Sequence, residues 1–294
     1  MISDLKDRSQ LAVLNAVVQQ LEQGGIDEAR RNAEWLVGEV AGHSRARLYA
    51  YPEREMTEAQ LEILRSLVAR RLQHEPVQYI VGHADFYGLR LHVTPAVLIP
   101  RPETEQVVET ALAWLAEQSA PRVLDIGTGS GCIPLAFKHE RPDAEVFACD
   151  ISEEALVVAR RNADEHGLAI HFFLADVLGG AFLDVAPGNL DLLISNPPYV
   201  ALDEAESLAR HVRDHEPHLA LFAGEDPLLF YRVIIRHAAI LLAPGGLLIF
   251  ETDAYHAEEV VALMQASPFE QVALNKDLAG LPRIVRGQRP EAQS

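Results

Sequence analysis

The stretch Val123-Leu124-Asp125-Ile126-Gly127-Thr128-Gly129-Ser130-Gly131 reads VLDIGTGSG, a short apolar run that passes directly into three closely spaced glycines. The apolar run predicts a buried strand. Glycine tolerates positive φ and lets a ligand approach the backbone, so a turn of this kind at the carboxyl edge of a parallel sheet suits a ligand site. A tight turn that only packs a helix on a strand would use the same glycines, and the motif alone leaves both interpretations open.

Strand-like and helical segments alternate after this motif, which predicts an α/β fold with a parallel sheet covered on both faces. Two later segments, Gln271 to Asn275 and Arg283 to Gly287, are separated by too few residues for a helical crossover, so they predict an antiparallel hairpin at the sheet edge. Helical periodicity lies between the first three strands and before the fifth. The five predicted buried strands are Arg122 to Ile126, Glu145 to Cys149, Ile170 to Ala175, Leu190 to Ser195 and Leu247 to Glu251.

The part of the chain before this sheet is helical in pattern from Leu5 to about His74. Apolar residues recur at helical spacing, and Thr57 to Gln60 has the form of a capping box. We therefore expect an N-terminal helical domain over residues 1–75. Pro76 breaks the pattern, and the strand-like segment Tyr79 to Ile99, with a turn signal at Tyr87-Gly88, predicts a β-hairpin linker over residues 76–100.

Helical periodicity returns from Glu103 to Gln118, and residues 101–294 form the predicted second domain. The chain has 43 acidic residues against 25 basic ones, a formal net charge of −18, which disfavours binding to phosphate backbones. No apolar stretch is long enough to cross a bilayer, and no signal-peptide pattern is visible, so we expect a cytoplasmic protein with no membrane or direct nucleic-acid partner.

The two cysteines and a group of histidines also invite chemical interpretations. Cys132 and Cys149 lie beside predicted strands, where a buried, inert thiol is favoured over a disulfide, a metal ligand or a nucleophile. His211, His215 and His218 have spacings that can place metal ligands on one helix face. Solvated or hydrogen-bonded histidines are the favoured interpretation, and we expect no metal site.

Acidic residues follow the next two predicted strands after the glycine loop. Asp150 can accept the ribose hydroxyls of an adenosine, although it could equally help to cap the helix that starts near Ser152. Asp176 can accept the adenine amino group while Val177 flanks the ring. The loop lacks the spacing of a dinucleotide site, and the chain lacks the lysine motif of a P-loop. S-adenosylmethionine therefore fits better, with the glycine-loop residues Gly127, Thr128, Gly129, Ser130 and Gly131 close to its amino acid moiety.

The fourth predicted strand ends in Asn196-Pro197-Pro198-Tyr199. The prolines have fixed φ and no N–H, so the segment forms a rigid loop with free carbonyls. The Asn196 side-chain oxygen and the Pro197 carbonyl could each accept one N–H of a planar NH2 group, whose nitrogen is otherwise a poor nucleophile. Pro198 stiffens this loop, and Tyr199 either walls the acceptor pocket or only packs. The chemistry predicted from these residues is methyl transfer to an amide or aromatic amine nitrogen.

Taken together, these motifs resemble the protein-glutamine N5-methyltransferases of the HemK/PrmC type. The resemblance rests on the helical N-terminal region and on GHADFYGLRLHVTPAVLIPRPETE (Gly82 to Glu105), VLDIGTGSGCI, NPPYV, HEPHLALFAGEDPL (His215 to Leu228) and DLAGLPRIVRG (Asp277 to Gly287). It implies a Rossmann-like class I S-adenosylmethionine-dependent methyltransferase sheet with a small N-terminal helical bundle. It also implies methylation of the glutamine in the Gly-Gly-Gln motif of peptide chain release factors.

By the same resemblance, the glycine loop, Asp150 and Val177 would bind S-adenosylmethionine, and Asn196 to Tyr199 would hold the substrate glutamine. The helical domain would help to grip the release factor, and a monomer is expected. Two places depart from the family pattern: FETDAY (Phe250 to Tyr255) stands where Glu-x-Gly is usual, and Pro227 replaces a common glycine. Three alternatives remain open: a ribosomal protein as substrate, N6-adenine methylation of nucleic acid, and a non-catalytic adaptor.

Overall fold

The structure, a computed structural model, describes residues 7–292. The chain divides into two compact units: the first contains the described residues up to His83 together with 209–215, and the second contains Ala84–Leu208 and the described residues from Glu216 onward. Three predictions reach beyond the described residues. These are the helical start at Leu5, the last two residues of the predicted second domain, and the first residues of the segment searched for a signal peptide.

The first unit is a bundle of helices around one apolar core, which includes Leu14, Leu36 and Leu64. The predicted capping box is confirmed: the Thr57 hydroxyl accepts the Gln60 backbone N–H at 3.3 Å, and the Gln60 side chain accepts the Thr57 N–H at 2.9 Å. The first five helices are α1 Gln10–Gln23, α2 Ala29–Ala41, α3 Arg45–Ala50, α4 Glu58–Leu72 and α5 Val77–Val81.

The prediction for the segment after Pro76 is partly wrong, because Val77–Val81 is a helix and not a strand. Pro76 lies at the helix N-cap, where its fixed φ and missing N–H cost nothing, and Gly82 ends the helix at φ 82°. The hairpin itself is confirmed as β1 His83–Phe86 and β2 Leu89–His92. Its turn residues Tyr87 and Gly88 have φ values of 49° and 76°. Residues 93–101 contain no strand.

The second unit is built on a seven-stranded sheet. The strands that follow β2 along the chain are β3 Arg122–Ile126, β4 Glu145–Asp150, β5 His171–Leu174, β6 Leu190–Ser195, β7 Val200–Ala201, β8 Phe222–Gly224, β9 Leu242–Glu251, β10 Glu270–Lys276 and β11 Pro282–Gln288. The sheet has the order β10-β11-β9-β6-β3-β4-β5. The pairs β9·β6, β6·β3, β3·β4 and β4·β5 are parallel. The predicted antiparallel hairpin at one edge is confirmed, with β11 pairing against both β9 and β10.

Helices cover both faces of this sheet, as predicted. The remaining helices are α6 Pro102–Trp114, α7 Cys132–Glu140, α8 Glu153–His166, α9 Phe182–Val185, α10 Arg210–Arg213 (a part of the first unit), α11 His218–Leu221, α12 Leu229–Leu241 and α13 Ala257–Gln265. Residues of α6, α7 and α8 pack into the core on one face, and residues of α12 and α13 pack into the core on the other. The short β7 and β8 pair with each other outside the main sheet.

Two strand predictions need correction. The third strand is not buried: His171 and Leu174 of β5 are exposed, because β5 is an edge strand with a partner on one side only. The fifth strand begins at Leu242 rather than Leu247: Leu242 already pairs with Leu190 of β6, and the strand contains an irregularity before Leu247, where Gly245 has a φ of 80°. Across residues 7–292, no helix is both long and apolar enough to span a bilayer.

Candidate functional site

A cavity of about 480 Å³ opens at the carboxyl edge of the sheet, within the size range of small-molecule sites. The tips of four parallel strands form its floor, because β3, β4, β5 and β6 all end at this edge. Residues 96–101 and 217–222 form further parts of the wall. Of the predicted site residues, those that line this cavity are Gly127, Thr128, Gly129, Ser130, Asp150, Asp176, Val177, Asn196, Pro197 and Pro198.

The glycine loop joins β3 to α7 and has two kinds of glycine. Gly127 and Gly129 have φ values of 76° and 53°, and an added Cβ would meet nothing within 4 Å, so both leave open space beside the backbone. Gly131 does not line the cavity. A Cβ there would lie 2.6 Å from the Leu135 side chain and 3.2 Å from the Ala159 Cβ. Gly131 is therefore required for the packing of the loop on its helix. Gly127 and Gly129 instead leave room for a ligand to approach the backbone.

Polar atoms without partners concentrate in and beneath this loop. The Thr128 and Ser130 hydroxyl oxygens are buried and make no hydrogen bond with the described residues, nor does either carboxylate oxygen of Asp125. Burial raises the pKa of Asp125 to about 7, and the negative charge of Asp150 contributes to this rise. The Thr128 hydroxyl lies near the carboxylate and lowers this pKa, although the two groups do not meet the geometry of a hydrogen bond. Buried polar groups are normally paired, so these atoms are suited to a polar ligand.

Asp150, the last residue of β4, holds both the glycine loop and the start of α8. One carboxylate oxygen accepts the Gly129 backbone N–H at 2.8 Å, and the other accepts the Ser152 N–H at 3.0 Å. Ser152 in turn caps α8 through the Ala155 N–H. Desolvation raises the pKa of Asp150, and these backbone hydrogen bonds partly oppose the shift. The carboxylate lines the cavity and keeps lone pairs for a ligand hydroxyl.

Asp176 and Val177 follow β5 and differ in exposure. The Asp176 carboxylate is exposed and accepts the Leu178 backbone N–H at 2.9 Å. The Val177 side chain is buried, and its carbonyl oxygen contacts the His237 ring nitrogen at 3.0 Å. The pair therefore offers the cavity one carboxylate and one apolar contact, the combination that suits a flat heteroaromatic ring with an amino group.

The loop Asn196 to Tyr199 leaves β6 at the same edge. The Ser195 hydroxyl donates to the Ile126 carbonyl at 2.8 Å and so ties the end of β6 to the start of the glycine loop. Among the described residues, neither the Asn196 side-chain amide nor the Pro197 carbonyl has a hydrogen-bond partner. Both acceptors therefore remain available on a cavity wall whose other end is the glycine loop.

Tyr199 does not line the cavity and packs against the core on the α12 face of the sheet. Burial raises the pKa of its phenol to about 12, so the hydroxyl stays protonated at neutral pH. This placement agrees with the interpretation in which Tyr199 only packs, and its predicted part in holding a substrate remains a proposal.

Sequence reasoning missed an ion pair between Arg101 and Glu216, 115 residues apart. An Arg101 guanidinium nitrogen lies 2.5 Å from a Glu216 carboxylate oxygen, and the other oxygen accepts the Ile99 backbone N–H at 3.3 Å. The Glu216 side chain is fully buried and Arg101 lines the cavity. The pair fastens the wall of residues 96–101 to the segment that begins at Pro217.

A second missed residue is Glu251, the last residue of β9. Ser195 pairs with Phe250 across the sheet, so Glu251 is the next residue in register beside Asn196. One Glu251 carboxylate oxygen is buried without a partner. Desolvation raises the pKa of Glu251 to about 7; the Thr104 hydroxyl and the Arg283 charge oppose this shift.

Both departures from the family pattern lie in turns that have side-chain support. In FETDAY, one Asp253 oxygen accepts the N–H groups of Tyr255 and His256 at 2.6 and 2.9 Å. In the second turn the Asp226 side chain accepts the Leu228 N–H at 3.0 Å, and Pro227 between them needs no donor. Local carboxylates therefore close these turns.

Cys149 is buried, whereas Cys132 is partly exposed and lines the cavity, so the prediction of a buried thiol is confirmed for Cys149 only. Both cysteines are free, and burial raises the pKa of the Cys132 thiol to about 12 and that of Cys149 further. Within residues 7–292, no group of three or more His, Cys, Asp or Glu side chains could hold a metal ion. His211, His215 and His218 all have interaction partners.

Comparison with known proteins gives two family matches. Residues 12–82 match the PrmC N-terminal domain, and residues 106–218 match the methyltransferase small domain. The chain is 44% identical to the release factor glutamine methyltransferase of Chlorobaculum tepidum, over 94% of this chain and 95% of the relative. It is 39% identical to that of Geobacter sulfurreducens, over 91% and 92% of the two chains.

Among solved structures, a methyltransferase from Pyrococcus furiosus aligns over 76% of this chain and 97% of its own, with a TM-score of 0.50 and 17% identity. That likeness concerns the fold alone, and it agrees with the predicted class I methyltransferase sheet.

Proposed function

The chain belongs to the family of release factor glutamine methyltransferases, and from that premise we propose its reaction. It transfers a methyl group from S-adenosylmethionine to the side-chain amide nitrogen, N5, of the glutamine in the Gly-Gly-Gln motif of peptide chain release factors. One observation supports this above all. The unpartnered acceptors of Asn196 and Pro197 line the same cavity as the glycine loop and the Asp150 carboxylate.

The cavity residues fit S-adenosylmethionine, which supplies a methyl group on a positively charged sulfur. The open backbone at Gly127 and Gly129 admits the amino acid moiety, and the unpaired Thr128 and Ser130 hydroxyls can bind its polar ends. Asp150, Asp176 and Val177 line the same cavity. In this proposal Asp150 accepts the ribose hydroxyls, and Asp176 with Val177 holds the adenine ring. The volume of about 480 Å³ admits a ligand of this size.

The acceptor loop performs its part by positioning. The Asn196 side-chain oxygen and the Pro197 carbonyl each accept one N–H of the glutamine NH2 group, which fixes the nitrogen and turns its lone pair toward the methyl carbon. Carbonyl and amide oxygens also stabilise the positive charge that develops on the nitrogen. The nitrogen becomes acidic as the bond to carbon forms, so its proton passes to solvent without a strong base.

The same proposal covers the roles of the domains and the partner of the enzyme. We assign recognition of the protein substrate to the helical domain, residues 1–75, with the hairpin linker at 76–100 and the methyltransferase domain at 101–294. The proposal names a release factor as partner and expects a monomer that acts in the cytoplasm, where release factors work. The net charge of −18 disfavours the alternative of nucleic-acid methylation.

The deciding experiment replaces Asn196 by alanine. We expect S-adenosylmethionine affinity within about twofold of the wild type, and methyl transfer to a release factor reduced by at least about a hundredfold, the effect of losing a preorganised acceptor. Affinity is measured by calorimetry and transfer by incorporation of labelled methyl groups. Asn275→Ala, at an exposed position on edge strand β10, is the control and should change neither value.

The same assay compares three acceptors with the wild-type enzyme: a release factor, a large-subunit ribosomal protein and DNA. Label is expected in the release factor, on glutamine. Label found only in the ribosomal protein or only in DNA would replace the proposed substrate, and full transfer by Asn196→Ala would remove the proposed role of that residue.

A further inference from the structure

A single buried side chain, that of Asn162 on α8, joins two walls of the cavity. It is fully buried and makes three hydrogen bonds. Its side-chain oxygen accepts the His92 backbone N–H at 2.7 Å. Its side-chain nitrogen donates to the His92 carbonyl at 3.0 Å and to the Ser130 carbonyl at 2.9 Å. Both N–H donors and one of the two acceptor sites of this amide are therefore used on backbone groups.

The two residues that Asn162 holds belong to different walls. Ser130 is part of the glycine loop and lines the cavity. His92 is the last residue of β2, and the chain continues from it without regular structure into residues 96–101, most of which line another part of the cavity wall. The Asn162 amide therefore bonds a backbone group in each of the two segments and ties one wall to the other.

Three other residues of the glycine loop are bonded to the end of β4. Gly127 and Thr128 donate their N–H groups to the Cys149 carbonyl at 2.9 and 3.0 Å, and Gly129 donates to Asp150. Two of these residues are glycines with positive φ, whose backbone has many alternative conformations. Fixing the Ser130 end removes that freedom before a ligand arrives, which is the general way in which preorganisation increases affinity.

We propose that Asn162 is a positioning residue for methyl transfer: it fixes the glycine loop and the wall of residues 96–101 at one spacing and thereby sets the affinity for S-adenosylmethionine. This inference rests on the proposed function for the identity of the ligand. Asn162 does not line the cavity and acts only through Ser130 and His92.

The helical unit contains a matched control. Asn32 on α2 is also buried and has the same bonding pattern: its nitrogen donates to the Asp27 and Glu28 carbonyls, both at 3.1 Å, and its oxygen accepts from Arg71 at 2.7 Å. Asn162→Ala and Asn32→Ala therefore remove the same number of hydrogen bonds, one set beside the cavity and one in the other unit. Because Asn32→Ala also takes an acceptor from the buried Arg71 guanidinium, its general damage to folding is expected to be at least as large as that of Asn162→Ala.

The test measures S-adenosylmethionine binding by calorimetry on the full chain. We expect Asn162→Ala to weaken binding at least about tenfold and Asn32→Ala less than about twofold. In turnover with a release factor, Asn162→Ala should raise the KM for S-adenosylmethionine by the same factor and leave kcat at saturation within about twofold. Equal losses in the two variants, or wild-type affinity in Asn162→Ala, would overturn the proposal.

A second measurement avoids any variant that fails to fold. In the wild type, S-adenosylmethionine should slow hydrogen exchange at the His92 amide together with the Gly129 amide, because Asn162 couples the two segments. Protection at Gly129 without protection at His92 would contradict the positioning role. Absence of any S-adenosylmethionine binding by the wild type would instead refute the proposed cofactor, and the positioning role with it.

Discussion

Glu251 should make the stability of the methyltransferase unit fall as the pH rises from 4.5 to about 7. It lies at the end of β9, buried beside Thr104, with one carboxylate oxygen unpartnered. Desolvation raises its pKa from 4.5 to about 7 in the folded chain. The folded state therefore binds the proton more tightly than the unfolded state. This contribution to stability is fully present below pH 4.5, is lost between pH 4.5 and 7, and changes no further above pH 7.

The size of the effect follows from the shift in pKa. Each pKa unit corresponds to about 1.4 kcal/mol, so the shift of Glu251 amounts to roughly 3 kcal/mol across the whole window. Glu251→Gln keeps the shape and the hydrogen-bonding capacity of the side chain but cannot ionise. The stability of this variant should therefore lack that part of the pH dependence, and between about pH 5 and 8 its free energy of unfolding should fall by about 2 kcal/mol less than that of the wild type.

Each unit contains one of the two tryptophans, Trp35 in the helical bundle and Trp114 on α6, which makes the assay specific. In a Trp35→Phe background, urea unfolding followed by fluorescence reports on the methyltransferase unit through Trp114. At about pH 5, 6, 7 and 8, this background is compared with the same background carrying Glu251→Gln in addition. Parallel stability curves for the two proteins would refute the assignment of a raised pKa to Glu251.

Two further predictions concern the glycine loop and its partner. Asp150→Ala should weaken S-adenosylmethionine binding by about tenfold to a hundredfold, because a charged acceptor for the ribose and for the Gly129 N–H is lost. Unchanged affinity in calorimetry would leave Asp150 as a support for the α8 N-terminus only. Gly131→Ala should destabilise the unit by at least about 2 kcal/mol in urea unfolding, through its φ of 81° and the 2.6 Å approach to Leu135. Gly127→Ala, in open space, should cost less, and the reverse order would contradict the packing role of Gly131.

Local sequence patterns were sufficient to predict most of the sheet. Apolar runs and their spacing located the strands from Arg122 to Gly287, and the short link after Asn275 predicted the antiparallel edge. The same patterns could not show that β5 lies at an edge of the sheet. A short apolar run predicts a strand, but it does not indicate whether that strand has a neighbour on one side or on both. The helix Val77–Val81 was missed because one turn of helix is too short for a period to be read.

The site was predictable where its residues follow strands directly. Parallel strands bring their carboxyl ends to one edge, and this rule gathered Asp150, Asp176 and Asn196 around one cavity. Contacts between distant segments carry no such signal. The Arg101–Glu216 pair spans 115 residues, and the bonds from Asn162 to His92 span 70. Such pairings depend on how helices and loops pack, which local patterns of residues do not show.

The raised pKa values of the two natural thiols have a practical consequence for labelling. Thiol reagents attack the thiolate, and a pKa of about 12 leaves Cys132 almost entirely protonated at neutral pH; Cys149 is higher still. A cysteine introduced at the exposed positions Tyr255 or Leu278 would have an ordinary thiol pKa and would react far faster. Fluorophores or spin labels can therefore be attached at one chosen point of the otherwise native chain, without first removing either natural cysteine.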